Sequence, residues 1–300
     1  MEKTVESEPL TYGVYTKYID TLAKRYSDLK VATCGKSLLG KEIYSLVLGD
    51  GDKNTLYVGG THGLEWITSL LLLRFCEDLL FLKETDGEMS GYGINEILKN
   101  RRLVVIPELN PDGIEISLNG ISACGEYKNE IFKACDGDFG RWSANARGVD
   151  INHNFNADWY SLRDFETKNG IDKPAPRRFG GFFPESEPET KAVTRLCRNV
   201  PFDMLFSFHS QGEEIYYEYG KNTPKKSYTL ATVLSAVSGY SLVKNEGHAA
   251  SGGLKDWFIE EFKKPAFTVE VGKGKNPLSA ECLEEIYNRL QMLLVLGVVL

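Results

Sequence analysis

The chain holds only four histidines among 300 residues, so the neighbours of each one are informative. His62 opens the stretch "HGLE", directly after the apolar run "NTLYVGG", and Glu65 follows three places later. A histidine and a glutamate at that spacing can reach one ion from a single turn. A catalytic zinc commonly takes three ligands of the His/Glu type and keeps one position open to water. His209, at the end of "MLFSFHSQG", is a candidate third ligand from another strand end. Glu270, in "AFTVEVG", ends a β-branched run and precedes glycine. Beside such a metal, a carboxylate there is suited to take the proton of an attacking water. The chemistry this set could perform is metal-assisted hydrolysis. Taken singly, each residue has a plainer reading: HxxE recurs by chance, and a strand-end glutamate is more often an ion-pair partner.

These residues need elements to position them. "YGVYTKYIDTLAKRYSD" has helical spacing, "LKVATCGKS" and "KEIYSLVLGD" read as paired strands, and "NTLYVGG" reads as a central strand. "WITSLLLLRFCEDLLFLKE" is too long for a strand and fits a buried helix. "INEILKN" reads as helix, "RRLVVIPELNPDG" as strand and turn, and residues 118–184 as a long loop region. "EPETKAVTRLCRN" and "PKKSYTLATVLSAVSGY" are helical, "FDMLFSFHSQGEEIYYEYG" is strand, turn and strand, and "KPAFTVEVG" is a strand. A last helix covers "SAECLEEIYNRLQMLLVLGVVL". Strands alternating with helices predict one α/β domain over 1–300, built on a mostly parallel sheet flanked by helices, with residues 1–9 loose. Open α/β sheets bind ligands beyond the carboxyl ends of their strands. His62 with Glu65, His209 and Glu270 all fall at such ends. The other two histidines, His153 in "RGVDINHNFNADW" and His248 in "NEGHAASGGLKDW", fall in polar loops that could converge on the same place. Asp150 and Asn152 in the first of these loops are candidate positioning groups.

Composition narrows the partners. An apolar share of 42 % and a charged share of 26 % fit an ordinary globular protein. The net charge of −7 argues against nucleic acid and anionic membranes, which need clustered Lys and Arg. Six scattered cysteines without a CxxC are no disulfide framework and fit reduced thiols, although Cys124 and Cys135 could close a small loop in an exported protein. The polar, acidic N-terminus lacks the features of a signal peptide. The apolar run "MLLVLGVVL" is far short of the about 20 residues that span a bilayer. A cytoplasmic enzyme is the resulting expectation, with export or spore association as the alternative.

The ordered stretches "HGLE", "RGVDINHNF", "FHSQG", "ASGGLKDW" and "FTVEVG" resemble the zinc carboxypeptidase family, and the match runs from about residue 10 to 300. The resemblance implies a mixed eight-stranded sheet between helices, one Zn²⁺, His62, Glu65 and His209 as its ligands, and Glu270 as the base that activates water. Digestive members carry Asn-Arg where this chain has Asn152-His153, and the arginine clamps the substrate's C-terminal carboxylate. Imidazole cannot reproduce that forked, permanently charged geometry. His248 stands where those enzymes have a tyrosine, and is expected to assist catalysis. Ser143 stands where they have the arginine that stabilises the transition state; Arg141 is the expected substitute, with Arg147 second.

"FHSQGEEIYYEY", "RRFGGFFPESEPET" and "LKDWFIEEFKKPAFTVEVGKGKNPL" look like the bacterial γ-D-glutamyl-diamino acid peptidases. That branch implies cleavage of the amide between γ-D-Glu and meso-diaminopimelate (or Lys) in peptidoglycan stem peptides. Asn152, His153, Arg147, Glu214 and Tyr216 are then the expected substrate contacts, with Glu214 and Tyr216 facing the diamino acid's amine. The alternatives are a conventional metallocarboxypeptidase on L-peptides, a non-catalytic module that binds cell-wall peptides, and a zinc-dependent N-acyl amino acid deacylase.

Overall fold

The central strands send large apolar residues alternately to two faces, as a sheet covered on both sides requires. A computed structural model describes residues 3–244 and 252–300. In chain order its elements are α1 (Tyr12–Arg25), β1 (Lys30–Lys36), β2 (Glu42–Leu48), β3 (Lys53–Val58), α2 (Ile67–Glu84), β4 (Glu88–Met89), β5 (Tyr92–Gly93), α3 (Ile94–Asn100), β6 (Arg101–Ile106) and α4 (Pro111–Asn119). They continue with α5 (Lys128–Cys135), α6 (Trp159–Lys168), α7 (Pro188–Asn199), β7 (Phe202–His209), β8 (Glu214–Tyr216), α8 (Lys226–Ser238), β9 (Ser241–Val243), α9 (Leu254–Phe262), β10 (Ala266–Glu270) and α10 (Leu283–Val299). Among the described residues, strands β4 and β5 pair only with each other, and the rest form one eight-stranded sheet in the order β1-β2-β6-β3-β7-β10-β8-β9. Its four parallel pairs outnumber its three antiparallel ones, so the expected mixed, mostly parallel sheet is found.

Side-chain parity assigns the two faces. Tyr57, Phe206, Phe208, Phe267 and Val269 join α1, α2, α8 and α10 in one core. Leu56, Val58, Leu205 and Ala266 join α7 and α9 in the other. Helix α2 is buried almost all round, from Ile67 to Leu80, which is why its sequence lacks a polar stripe. Ser207, His209, Thr268 and Glu270 share parity with Leu205 and Ala266, so they point to the α7–α9 side. His209 and Glu270 sit at the last residue of their strands.

Several local expectations need correction. "NPDG" is the start of α4: the Asn110 side chain caps it by accepting from Gly113 N at 2.9 Å, and Pro111 takes the first turn, where its missing N–H is harmless. Residues 118–184 are not one long loop but carry α5, α6 and several 3₁₀ turns, too short to show apolar periodicity. Helix α9 and the edge strand β9 had no counterpart in the sequence reading. Of residues 1–9, expected to be loose, 3–9 are described and Val5 is buried. Glu77 accepts from the backbone N–H groups of Thr4 (2.6 Å) and Val5 (3.0 Å), and the Arg74 guanidinium donates to the Val5 carbonyl. Among the described residues no helix is long and apolar enough to cross a membrane.

Candidate metal centre and active site

The turn after β3 carries the first two functional side chains. His62 precedes a 3₁₀ turn, Gly63–Glu65, which runs straight into α2. Gly63 is required there: a Cβ on it would stand 2.2 Å from the Gly113 carbonyl oxygen and 2.7 Å from that of Trp142. Its N–H donates to the Ser143 carbonyl at 3.0 Å, and Asn110 Nδ2 donates to the Thr61 carbonyl at 3.1 Å. The β6–α4 junction and the segment around Ser143 thus hold the ligand turn rigid.

His209, from β7, meets that turn. His62 Nδ1 lies 3.0 Å from Glu65 Oε1, His209 Nδ1 lies 3.1 Å from Glu65 Oε2, and the two Nδ1 atoms are 3.3 Å apart. The other ring nitrogens face outward: His62 Nε2 is 3.2 Å from Asp150 Oδ1, and His209 Nε2 is 3.1 Å from Ser207 Oγ. Such outer partners fix the ring orientation of metal-binding histidines. Asp150 is itself held by the backbone N–H groups of Asn152 (3.1 Å) and Arg178 (2.7 Å). The cluster attracts positive charge. Burial disfavours protonated His62, but Glu65 and Asp150 outweigh it and raise the imidazole well above its ordinary value. Burial acts to raise the Glu65 carboxyl, yet His62 and His209 pull it down to about 2. A converging His/Glu/His donor set with this bias, whose donor atoms lie within 4.8 Å of one another, fits a zinc ion.

Glu270 lies beside this set. In the parallel β7–β10 pairing it is opposite His209, and in the antiparallel β10–β8 pairing it is opposite Glu214. His209, Glu270 and Glu214 therefore form one row across three strands and share a face. Burial, Glu65 and Glu214 push the Glu270 carboxyl well above the ordinary range, against the opposing effect of His62. Tyr216 donates its hydroxyl to Glu214 Oε2 at 2.8 Å. On the Glu65 side of the ligands opens a cavity of about 600 Å³, lined by Leu64, Glu65, Ser143, Arg141, Arg177 and Lys275 among others.

The remaining expected site residues divide. Arg141 lines that cavity and is highly exposed, with Asp138 4.0 Å away. Arg147 is not among the cavity's lining residues; its Nη2 donates to Glu187 Oε2 at 2.9 Å. His153 turns toward α6, where its Nδ1 lies 2.6 Å from Glu166 Oε1, and Arg163 pairs with the same carboxylate. Burial opposes a proton on His153, but Asp150 and Glu166 raise its pKa. Asn152 Oδ1 accepts from Leu254 N at 3.2 Å, tying the "GVDIN" loop to the start of α9. His248 lies outside the described residues. Ser207, Glu166 and Arg163 escaped the sequence reading. Ser207 carried a signal: it sits two residues before His209 on a strand, hence on the same face.

The family model described as "Zinc carboxypeptidase" matches residues 15–291. The chain belongs to the zinc carboxypeptidase family. It is a zinc metallopeptidase, and the family's single zinc fits His62, Glu65 and His209. Among curated relatives, gamma-D-glutamyl-L-diamino acid endopeptidase 1 of Lysinibacillus sphaericus is 32 % identical over 291 residues, covering 96 % of this chain and 72 % of the relative. Bovine carboxypeptidase B is 27 % identical, covering 80 % of this chain and 57 % of the relative. The crystal structure of thrombin activatable fibrinolysis inhibitor superposes with a TM-score of 0.79 at 19 % identity, covering 99 % of this chain and 76 % of that one, which shows the shared fold.

Proposed function

We propose that the protein hydrolyses the amide between γ-D-glutamate and the diamino acid, meso-diaminopimelate or lysine, of peptidoglycan stem peptides. The observation that carries this reading is the row His209–Glu270–Glu214. It puts a second carboxylate, steadied by Tyr216, directly beside Glu270, where a substrate's extra amine can be received. The named activity of the Lysinibacillus relative supports the same bond. A carboxypeptidase of L-peptides needs a forked cation for the terminal carboxylate, and this chain has His153 at that position, already engaged with Glu166.

His62, Glu65 and His209 would hold the zinc, with Asp150 and Ser207 orienting the two rings. When bound, zinc polarises the scissile carbonyl and makes water more acidic. Glu270 takes the proton of the attacking water on its carboxylate and returns it to the leaving amine. Its half-buried place at the end of β10 keeps that proton from bulk water. Arg141, on the cavity wall, would steady negative charge on the carbonyl oxygen. We assign the work to the cytoplasm, on released stem peptides; the six free thiols support a reducing compartment. Glu270→Gln should keep stoichiometric zinc and lose at least about 100-fold in kcat. Retained turnover in that variant would remove Glu270 from the proton-transfer role.

A further inference from the structure

A γ-linked glutamyl substrate differs from an ordinary peptide in one group close to the scissile bond: a free α-carboxylate on the acyl side. The following rests on the proposed function and concerns what reads that group. Glu270 hands its proton to the leaving amine, so the leaving half of the substrate lies on the Glu270–Glu214 side of the ligands. The acyl half then lies on the Glu65 side, where the cavity opens. Neither Ser143 nor Leu64, which line it there, carries charge.

Two cations do. Arg177 and Lys275 line the same cavity, and both are exposed. Among the described residues no carboxylate pairs with either, although Asp136 and Asp138 line the cavity too. An exposed lysine or arginine without a partner is usually just solvated, but these two are anchored by their neighbours. The carbonyl of Pro176 accepts from the N–H groups of Ser143 and Ala144, each at 2.9 Å, which bolts the residue before Arg177 to the ligand-turn frame. Asn276, the residue after Lys275, exchanges two hydrogen bonds with Ser210: Ser210 Oγ donates to Asn276 Oδ1 at 2.9 Å, and Asn276 Nδ2 donates to the Ser210 carbonyl at 2.5 Å. Ser210 follows the ligand His209, and its own N–H donates to Glu65 at 3.2 Å. Both cations therefore spring from backbone fixed to the metal centre, and both are unspent. We infer that Arg177 and Lys275 form a carboxylate-reading pair for the acyl side of the substrate, separate from Arg141 and its role at the carbonyl oxygen. Guanidinium forks bind carboxylates in two-point fashion, and ammonium adds a point charge.

The test measures binding of acyl-side products to the zinc-loaded protein by calorimetry: L-Ala-D-Glu against L-Ala-D-isoglutamine, its α-carboxamide. The two keep the same γ-carboxylate and differ only in the group at issue. The wild-type protein should bind the free α-carboxylate at least about tenfold more tightly, as losing a charge-assisted hydrogen bond implies. In Arg177→Ala/Lys275→Ala the preference should fall to within about twofold, with the isoglutamine affinity changed by less than about threefold. No preference in the wild type, or one that survives in the double variant, overturns the inference. The function is judged separately by turnover of L-Ala-γ-D-Glu-meso-diaminopimelate. Absent turnover with an intact, variant-sensitive preference would reject the function and leave the pair standing. Turnover without preference would reject the pair alone.

Discussion

Asp150→Ala should weaken zinc binding without unfolding the protein. Asp150 Oδ1 lies 3.2 Å from His62 Nε2, and among the described residues no other hydrogen bond reaches that nitrogen. Removing the carboxylate frees the imidazole to rotate and to choose its tautomer. Losses of this kind lower metal affinity by about 10–100-fold, or about 1.4–2.8 kcal/mol. The same carboxylate also accepts from Asn152 N and Arg178 N, so the fold should lose about 1–2 kcal/mol as well. Asp150→Asn keeps one acceptor oxygen and should fall between the two. Proton competition adds a sign that can be checked. Asp150 helps raise the pKa of His62, so its removal also makes the ring easier to deprotonate. The loss of zinc affinity should therefore be smaller at the lower of two pH values than at the higher, where less of the wild-type ring is protonated. Competition with a chromogenic chelator at both pH values, with thermal unfolding run in parallel, measures each term. A folded Asp150→Ala protein that binds zinc as tightly as the wild type at both pH values would refute the argument that this contact orients His62.

Two other perturbations test the frame. Gly63→Ala puts a methyl group against the backbone carbonyls of Gly113 and Trp142 and should cost about 2 kcal/mol or more, while displacing both ligands of the turn; an unchanged unfolding midpoint and zinc content would contradict it. Glu108 is fully buried, neither carboxylate oxygen has a hydrogen-bond partner among the described residues, and burial holds its pKa well above the ordinary 4.5. Its folded form keeps a proton that the unfolded chain releases, so its contribution to stability is complete below pH 4.5 and falls by about 1.4 kcal/mol per pH unit up to the folded pKa. Glu108→Leu should remove that slope and be the more stable protein at alkaline pH; denaturant unfolding across pH with identical slopes for both proteins would refute it.

The metal ligands were legible in the sequence for a physical reason. A strand's period of two and the end of its apolar run together define which side chains leave the sheet, so His62, His209 and Glu270 could be placed without knowing the strand order. What depends on strand order could not be read. The chain passes from β7 to β8 through a short turn, which suggests neighbours, yet β10 inserts between them. Only that insertion brings Glu214 beside Glu270. Nor could the partners of His153 and Arg147 be read. They are Glu166, on a helix too short to show apolar periodicity, and Glu187, forty positions from Arg147. Lys275 looks like any surface residue until the Asn276 hydrogen bonds tie it to the metal frame.

The identity of the bond cleaved decides the function. Zinc-loaded protein should release diaminopimelate from L-Ala-γ-D-Glu-meso-diaminopimelate and leave a panel of L-peptides with free C-termini intact. Trimming of the L-peptides with no diaminopimelate released would contradict the account and return the protein to conventional carboxypeptidase chemistry.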